Sequence, residues 1–196
     1  MKIGVLALQG AVREHIHLLN QAGAEATAVK RAEQLQDLDG LIIPGGESTA
    51  IAKLMNQYQL KEPILNMHQQ GKPIFGTCAG LILVANQVEG LTEPHLNLID
   101  IAVKRNAFGR QKESFEADLS IEGVGDNFTA VFIRAPYIER VGPEVHILAK
   151  MDGKIVAARQ GTVMGAAFHP ELTDDLRVHQ YFVNMVKDSL VANSLK

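Results

Sequence analysis

Apolar runs of strand length alternate with helix-period segments through the first half of the chain; in the second half the short runs dominate. Lys2–Leu8 has the length of a buried strand. After Gln9-Gly10, Val12, Ile16 and Leu19 recur at helical spacing until Gly23 stops them. Glu25–Val29 and Gly40–Ile43 are the next two strands, the second closed by Pro44-Gly45-Gly46. Helical patterns over about Thr49–Tyr58 and Lys61–Gln70 follow, and Gly71-Lys72-Pro73 ends them. Ile74–Thr77 is a fourth strand that runs directly into Cys78. Strand and helix in alternation predict a parallel sheet covered by helices on both faces.

Beyond residue 98 the pattern changes. Ile99–Lys104, Glu116–Ile121, Ala130–Arg134, Val145–Lys150, Ile155–Gln160 and Met164–Phe168 are short, β-rich and separated by turn residues. Asp152-Gly153 lies between two of them at hairpin spacing. These segments predict an antiparallel extension of the sheet and a small accessory sheet. Thr173–Asp175 cap a last helix whose apolar stripe is Val178, Tyr181, Phe182, Met185 and Leu190. With neither a repeat nor a linker, the 196 residues form one α/β domain, 1–196.

Composition narrows the classes of function. The chain is 46% hydrophobic and 21% charged, with net charge −3 and scattered Lys and Arg. This balance gives no footprint for nucleic acid or an anionic membrane. No window approaches the roughly 18 apolar residues of a membrane span, and the N-terminus lacks a signal-peptide pattern, so a cytosolic protein is expected. Cys78 is the single cysteine, which excludes an internal disulfide. Asn127-Phe128-Thr129 matches a glycosylation sequon, incidental in a cytosolic chain.

Gly76-Thr77-Cys78-Ala79-Gly80, at a strand-to-helix junction, has the form of a nucleophile elbow with cysteine in place of serine. The turn is too tight for a Cβ at the flanking glycines, and it sets the sulfur outside a strand's carboxyl end at a helix N-terminus, where thiolate is favoured. His169-Pro170-Glu171 follows the last apolar strand. Proline keeps His169 extended, and in extended chain the imidazole and carboxylate two residues apart project to one side, as a Cys–His–Glu relay requires. Pro44-Gly45-Gly46-Glu47-Ser48-Thr49 brings backbone N–H groups to a strand end, suited to an oxyanion, with the N–H of Ala79 as a second donor. Read alone, that loop is a turn leading into a capped helix. P-loop and dinucleotide-binding glycine motifs are absent. Arg105 and Arg134 end strands where a guanidinium could grip a carboxylate. The histidines offer no metal set: His15 and His17 are two apart on a helix, point to different faces, and have no evident partner.

Together these motifs resemble the class I, or triad, glutamine amidotransferases. Leu8-Gln9-Gly10-Ala11-Val12-Arg13-Glu14-His15, Arg105-Asn106-Ala107-Phe108-Gly109-Arg110-Gln111, Ser114-Phe115-Glu116-Ala117, Phe132-Ile133-Arg134-Ala135-Pro136 and Phe168-His169-Pro170-Glu171-Leu172 are similar, in order, to the branch formed by glutaminase subunits of pyridoxal 5′-phosphate synthases. Ala107 stands where that branch leads one to expect serine. The resemblance implies the class I fold, a three-layer flavodoxin-like sheet with a parallel core and antiparallel extension. It implies Cys78 as nucleophile with His169 and Glu171, and glutamine contacts at Gly46, Glu47, Ser48, Arg105, Ile133 and Arg134. It implies no cofactor. The implied partner is a synthase subunit, twelve carrying twelve glutaminases, that builds pyridoxal phosphate from ammonia, ribose 5-phosphate and glyceraldehyde 3-phosphate and switches the glutaminase on by docking.

A glycine pair whose peptide rotates to form the oxyanion hole is a candidate gate. Gln9 would hold one state, and the helix bearing Arg13, His15 and His17 would sense the partner. Two other readings are a stand-alone cysteine hydrolase or stress protein on a similar sheet, and a non-enzymatic module that kept the fold.

Overall fold

A computed structural model describes residues 1–105, 108 and 113–196. Of the stretch from Arg105 to Gln111, only Arg105 and Phe108 are therefore described; Asn106, Ala107, Gly109, Arg110 and Gln111 lie outside the described residues.

Twelve strands and five α-helices carry the described chain. Its first half runs β1 (Lys2–Leu6), α1 (Val12–Gln21), β2 (Glu25–Val29), β3 (Gly40–Ile43), α2 (Ser48–Gln57), α3 (Lys61–Gln69), β4 (Ile74–Thr77) and α4 (Ala79–Val84). Its second half runs β5 (Ala85–Val88), β6 (Ile99–Lys104), β7 (Ser114–Ile121), β8 (Gly125–Ile133), β9 (Tyr137–Val141), β10 (His146–Met151), β11 (Lys154–Gln160), β12 (Val163–Ala166) and α5 (Arg177–Ser194).

The main sheet has the order β2-β1-β3-β4-β12-β11-β9-β6-β5, with β10 on β11, and β7-β8 form a separate hairpin. Its first five strands are mutually parallel, the doubly wound 2-1-3-4-5 order in which the chain reverses direction between β1 and β3. Right-handed crossovers running opposite ways from β1 place helices on opposite faces. Accordingly α1 packs with α5, and α2 with α4. The central strands β3, β4 and β12 are buried throughout, as continuous apolar runs covered on both sides require. Gly40 lets α5 come close, since a Cβ there would lie 2.7 Å from Val186 Cγ2.

The second half extends the sheet through β11, antiparallel to β12, and through β9 and β6. Asp152 and Gly153, both at positive φ, close the β10–β11 hairpin, the backbone state a two-residue hairpin turn needs. Several expectations are corrected. Strands β5 and β9 have no counterpart in the sequence reading. In α5 Leu190 is 40% exposed and leaves the apolar stripe. The buried face of α1 is His15, Leu18 and Leu19; Val12 and Ile16 are only half-buried. Of the residues expected to cap α5, Asp175 accepts the Arg177 N–H at 3.0 Å. Among the described residues no helix is long and apolar enough to cross a membrane.

Candidate active site

The strand register brings the motifs together. β4 lies between β3 and β12, with Gly76 beside Ile43 and Thr77 beside Ala166. The chain just beyond each pairing therefore emerges at one sheet edge: Pro44-Gly45 from β3, Cys78 from β4, and Ala167–His169 from β12. Gln9, beyond β1, joins them across the switch point between β1 and β3, where open α/β sheets leave a crevice.

Cys78 sits at φ 52° and ψ −106°, a backbone state that costs a side-chain-bearing residue about 1–3 kcal/mol. Its N–H donates to Ala166 O at 2.8 Å and its carbonyl accepts the Leu81 N–H at 3.1 Å, so both neighbours enforce the turn. A Cβ on Gly76 would strike the Gly80 carbonyl, and one on Gly80 the Ile43 carbonyl. Both glycines are needed for the elbow to close. The Cys78 thiol points to the carbonyl of Ile133, 3.7 Å away.

His169 Nδ1 is 2.6 Å from Glu171 Oε1. The pairing is not made by strand alternation. β12 ends at Ala166, and Pro170–Leu172 form a 3-10 turn, so it is this turn that swings the carboxylate under the ring. The His169 N–H donates to Val131 O at 2.8 Å, tying the segment to β8. Burial opposes a charge on His169, but its bonds with Cys78 and Glu171 prevail and raise its pKa to about 10. These contacts make the ring a base strong enough to accept a proton from the neighbouring thiol. Gly45 fits against this pair: a Cβ there would be 2.7 Å from His169 Cε1 and 3.3 Å from Cys78 Cβ.

A cleft of about 900 Å3 opens over the sulfur. Gly46, Glu47, Ser48, Cys78, Ala79 and His169 line it together with Arg105, Ile133 and Arg134, and the Ile133 carbonyl is the one beside the sulfur. The Glu47 carboxylate accepts the N–H groups of Thr49 and Ala50 at 3.0 and 2.6 Å, which cap α2 and, with Ala50 contributing most, lower its pKa. The sequence reading did not single out Glu89, Gly90 and Glu113, which also line the cleft. Gly90 gives Arg105 room, a Cβ there standing 3.2 Å from its guanidinium. Carboxylates and guanidiniums lining one cleft with the sulfur suit a zwitterion whose uncharged end reaches the sulfur.

At the Gly45-Gly46 turn, Gln9 Oε1 accepts the Glu47 N–H at 2.8 Å. A Cβ on Gly46 would be 2.7 Å from the same oxygen. His15 departs most from expectation. It is wholly buried, so it cannot touch a partner protein; its Nδ1 is 2.8 Å from His179 Nε2, and its Nε2 is 3.3 Å from Glu171 Oε2. A histidine expected to have no pairing group and to sense the partner is part of the site's foundation.

The model of the SNO glutamine amidotransferase family matches residues 5–188. The chain belongs to this family. Pyridoxal 5′-phosphate synthase subunit PdxT of Geobacillus kaustophilus is 60% identical over 196 residues, the full length of both chains. The protein of the same name from Halalkalibacterium halodurans is 59% identical over 189 residues, 96% of each chain. A crystal structure of a glutamine amidotransferase, 46% identical, superposes with a TM-score of 0.89 over 94% of this chain and 98% of its own. PurLQS from Thermotoga maritima, 19% identical with a TM-score of 0.68, covers 100% of this chain and 99% of its own, and so shares the fold. The class I amidotransferase sheet expected from the sequence is the one observed.

Proposed function

We propose that this chain is the glutaminase subunit of a pyridoxal 5′-phosphate synthase: a single, cytosolic glutaminase domain over residues 1–196 that hydrolyses L-glutamine and hands the ammonia to a synthase subunit. The observation that carries the chemistry is the 2.6 Å His169–Glu171 bond at the sheet edge where Cys78 is held in its strained turn. Full-length identity of 60% to a synthase subunit supports the partner.

In this reading His169 takes the proton from Cys78, whose sulfur attacks the side-chain carboxamide carbon of glutamine. The oxyanion lies between the N–H of Ala79 and the Gly45-Gly46 turn. His169 returns the proton to the nitrogen, the C–N bond breaks, and ammonia leaves a glutamyl thioester. Water, deprotonated by His169, then hydrolyses the thioester to glutamate and restores the thiol. Glu171 fixes the imidazole and stabilises its charged form. Gly46, Glu47, Ser48, Arg105, Ile133 and Arg134 hold the amino-acid end of glutamine. Gln9 holds the Gly45-Gly46 turn in one of two states. The synthase subunit selects the productive one in an assembly of twelve of each chain, using the ammonia with ribose 5-phosphate and glyceraldehyde 3-phosphate.

The test is glutamate release from glutamine by the chain alone and with a pyridoxal phosphate synthase subunit added. Strong stimulation, absent in Cys78→Ala and altered in Gln9→Ala, is the expected result. Partner-independent hydrolysis of other amides or esters would move the function to a stand-alone cysteine hydrolase.

A further inference from the structure

Beneath the Cys78–His169–Glu171 line lies a second pair of titratable groups that the reaction as written does not use. His15 on α1 and His179 on α5 are both fully buried, with ring centroids 5.1 Å apart and planes inclined at 52°. His15 Nδ1 faces His179 Nε2 at 2.8 Å; its other nitrogen stands 3.3 Å from Glu171 Oε2 and 3.5 Å from Thr77 Oγ1. His179 Nδ1 is buried without a partner. Two imidazoles removed from water and facing each other are held neutral, burial being the main cause for each.

Neutrality leaves two arrangements of protons for the short contact. If His15 Nδ1–H donated, its bare Nε2 lone pair would face the Glu171 carboxylate, and a His179 ring protonated at Nδ1 would bury an unmatched N–H donor. If His179 Nε2–H donates instead, His15 carries its proton on Nε2, 3.3 Å from Glu171 Oε2 and 3.5 Å from Thr77 Oγ1, and His179 Nδ1 is left as a bare acceptor. The second arrangement avoids both the lone-pair repulsion and the unmatched donor, and leaving a buried donor unmade is the costly error. It also gives Glu171 Oε2, which has no well-aligned hydrogen bond of its own, an N–H within ion-pair distance.

We propose that His15, oriented by His179, is a positioning residue for the glutaminase reaction: its Nε2–H holds the outer oxygen of Glu171 so that the inner oxygen stays in line with His169. The triad then runs on through α1 into α5. The proposal rests on the glutaminase reading for its kinetic effect, though not for its geometry. Oε1, bonded to His169, fixes distance but not the rotation of the carboxylate plane. Anchoring Oε2 supplies that second constraint, as partners behind metal-bound histidines do.

The experiment compares His15→Leu, His15→Gln and His179→Phe with the unaltered chain, each with the synthase subunit present. Leucine removes the donor; glutamine returns an amide N–H at a similar reach from the backbone. In His15→Leu kcat is expected to fall about 10–100-fold with KM within about twofold, the size seen when outer hydrogen-bond partners are lost. His15→Gln recovers most of the loss, and His179→Phe, acting one step further away, loses less than His15→Leu. Independently of turnover, proton NMR of the His169 Nδ1–H should show a low-field resonance in the unaltered chain and in His15→Gln that broadens or moves upfield in His15→Leu. A resonance unmoved in both His15→Leu and His179→Phe overturns the proposal, and so does a kcat equal to that of the unaltered chain. A moved resonance in a chain that never hydrolyses glutamine would sustain the positioning role and sink the glutaminase reading instead. Should His15→Leu fail to fold, His179→Phe carries the same two readouts.

Discussion

Two groups of residues line one cleft and are built on different terms. The reactive wall consists of chain just past β3, β4 and β12, three parallel strands without solvent on either face. Cys78 is 7% exposed and Glu171 4%, and the Cys78 N–H is held by the carbonyl of Ala166 on β12. The recognition wall consists of Arg105, Ile133 and Arg134, at the ends of β6 and β8 in the antiparallel half. There Ile133 is 36% exposed and Arg134 is exposed, at φ 45°. In the proposed reaction labour is divided accordingly: the His169–Glu171 pair, 2.6 Å apart, is set in the most constrained part of the fold, whereas the groups assigned to the substrate's charged end sit in the antiparallel half. An ångström of error is costly for the first group and tolerable for the second.

If the division is real, changes on the two walls must differ in size and in kind. Glu171→Gln keeps the shape of the reactive wall and removes its charge; kcat should fall by about 10^4, as when the carboxylate of a comparable triad is neutralised, and single-turnover kinetics would check it.

The histidine foundation should be visible in stability against pH. His179 has a folded pKa lowered by burial to about 4 from the ordinary 6.5, and that of His15 moves in the same direction. The unfolded chain therefore takes up protons between pH 6.5 and about 4 while the folded one does not, so stability falls as pH falls through that window. For His179 alone this amounts to about 3 kcal/mol, and urea midpoints in His179→Phe should decline less steeply over that range. His169 contributes nothing to the slope there, because its raised pKa makes its stabilisation complete below 6.5 and lost only as pH rises through about 10.

Smaller effects follow in order. Gly45→Ala should push the imbricated His169 ring aside and lower kcat about 10–100-fold with KM little changed, a misplacement effect that steady-state assays with the synthase subunit would reveal. Arg134→Ala on the other wall should raise KM about tenfold, the loss of one charge-assisted hydrogen bond, and leave kcat nearly intact. A reversal, with Arg134 governing kcat and Gly45 governing KM, would abolish the distinction between the walls.

The sequence disclosed the reactive wall far better than what supports it. Gly76 and Gly80 around Cys78 are demanded by local backbone collisions, so the elbow is written in adjacent residues. The parallel order of β1 to β4 is likewise carried by contiguous apolar runs. Strand β5 was invisible because Ala85-Asn86-Gln87-Val88 follows α4 without punctuation, and β9 because Tyr137–Val141 has only Ile138 buried among polar neighbours. Glu89 and Gly90, which follow β5, were missed with it. His15 was misread for a different reason. Its partners lie 156 and 164 positions away, and a histidine at an amphipathic helix position looks like a polar face until the fold brings Glu171 and His179 beneath it.

The central claim is that Cys78 is a nucleophile addressed to glutamine. It is tested most directly by treating the chain, with a synthase subunit bound, with an electrophilic analogue of glutamine and weighing the peptides. The account predicts one adduct, on Cys78, blocked by excess L-glutamine and slowed in Glu171→Gln. An unlabelled Cys78, or labelling that glutamine does not protect, would contradict it.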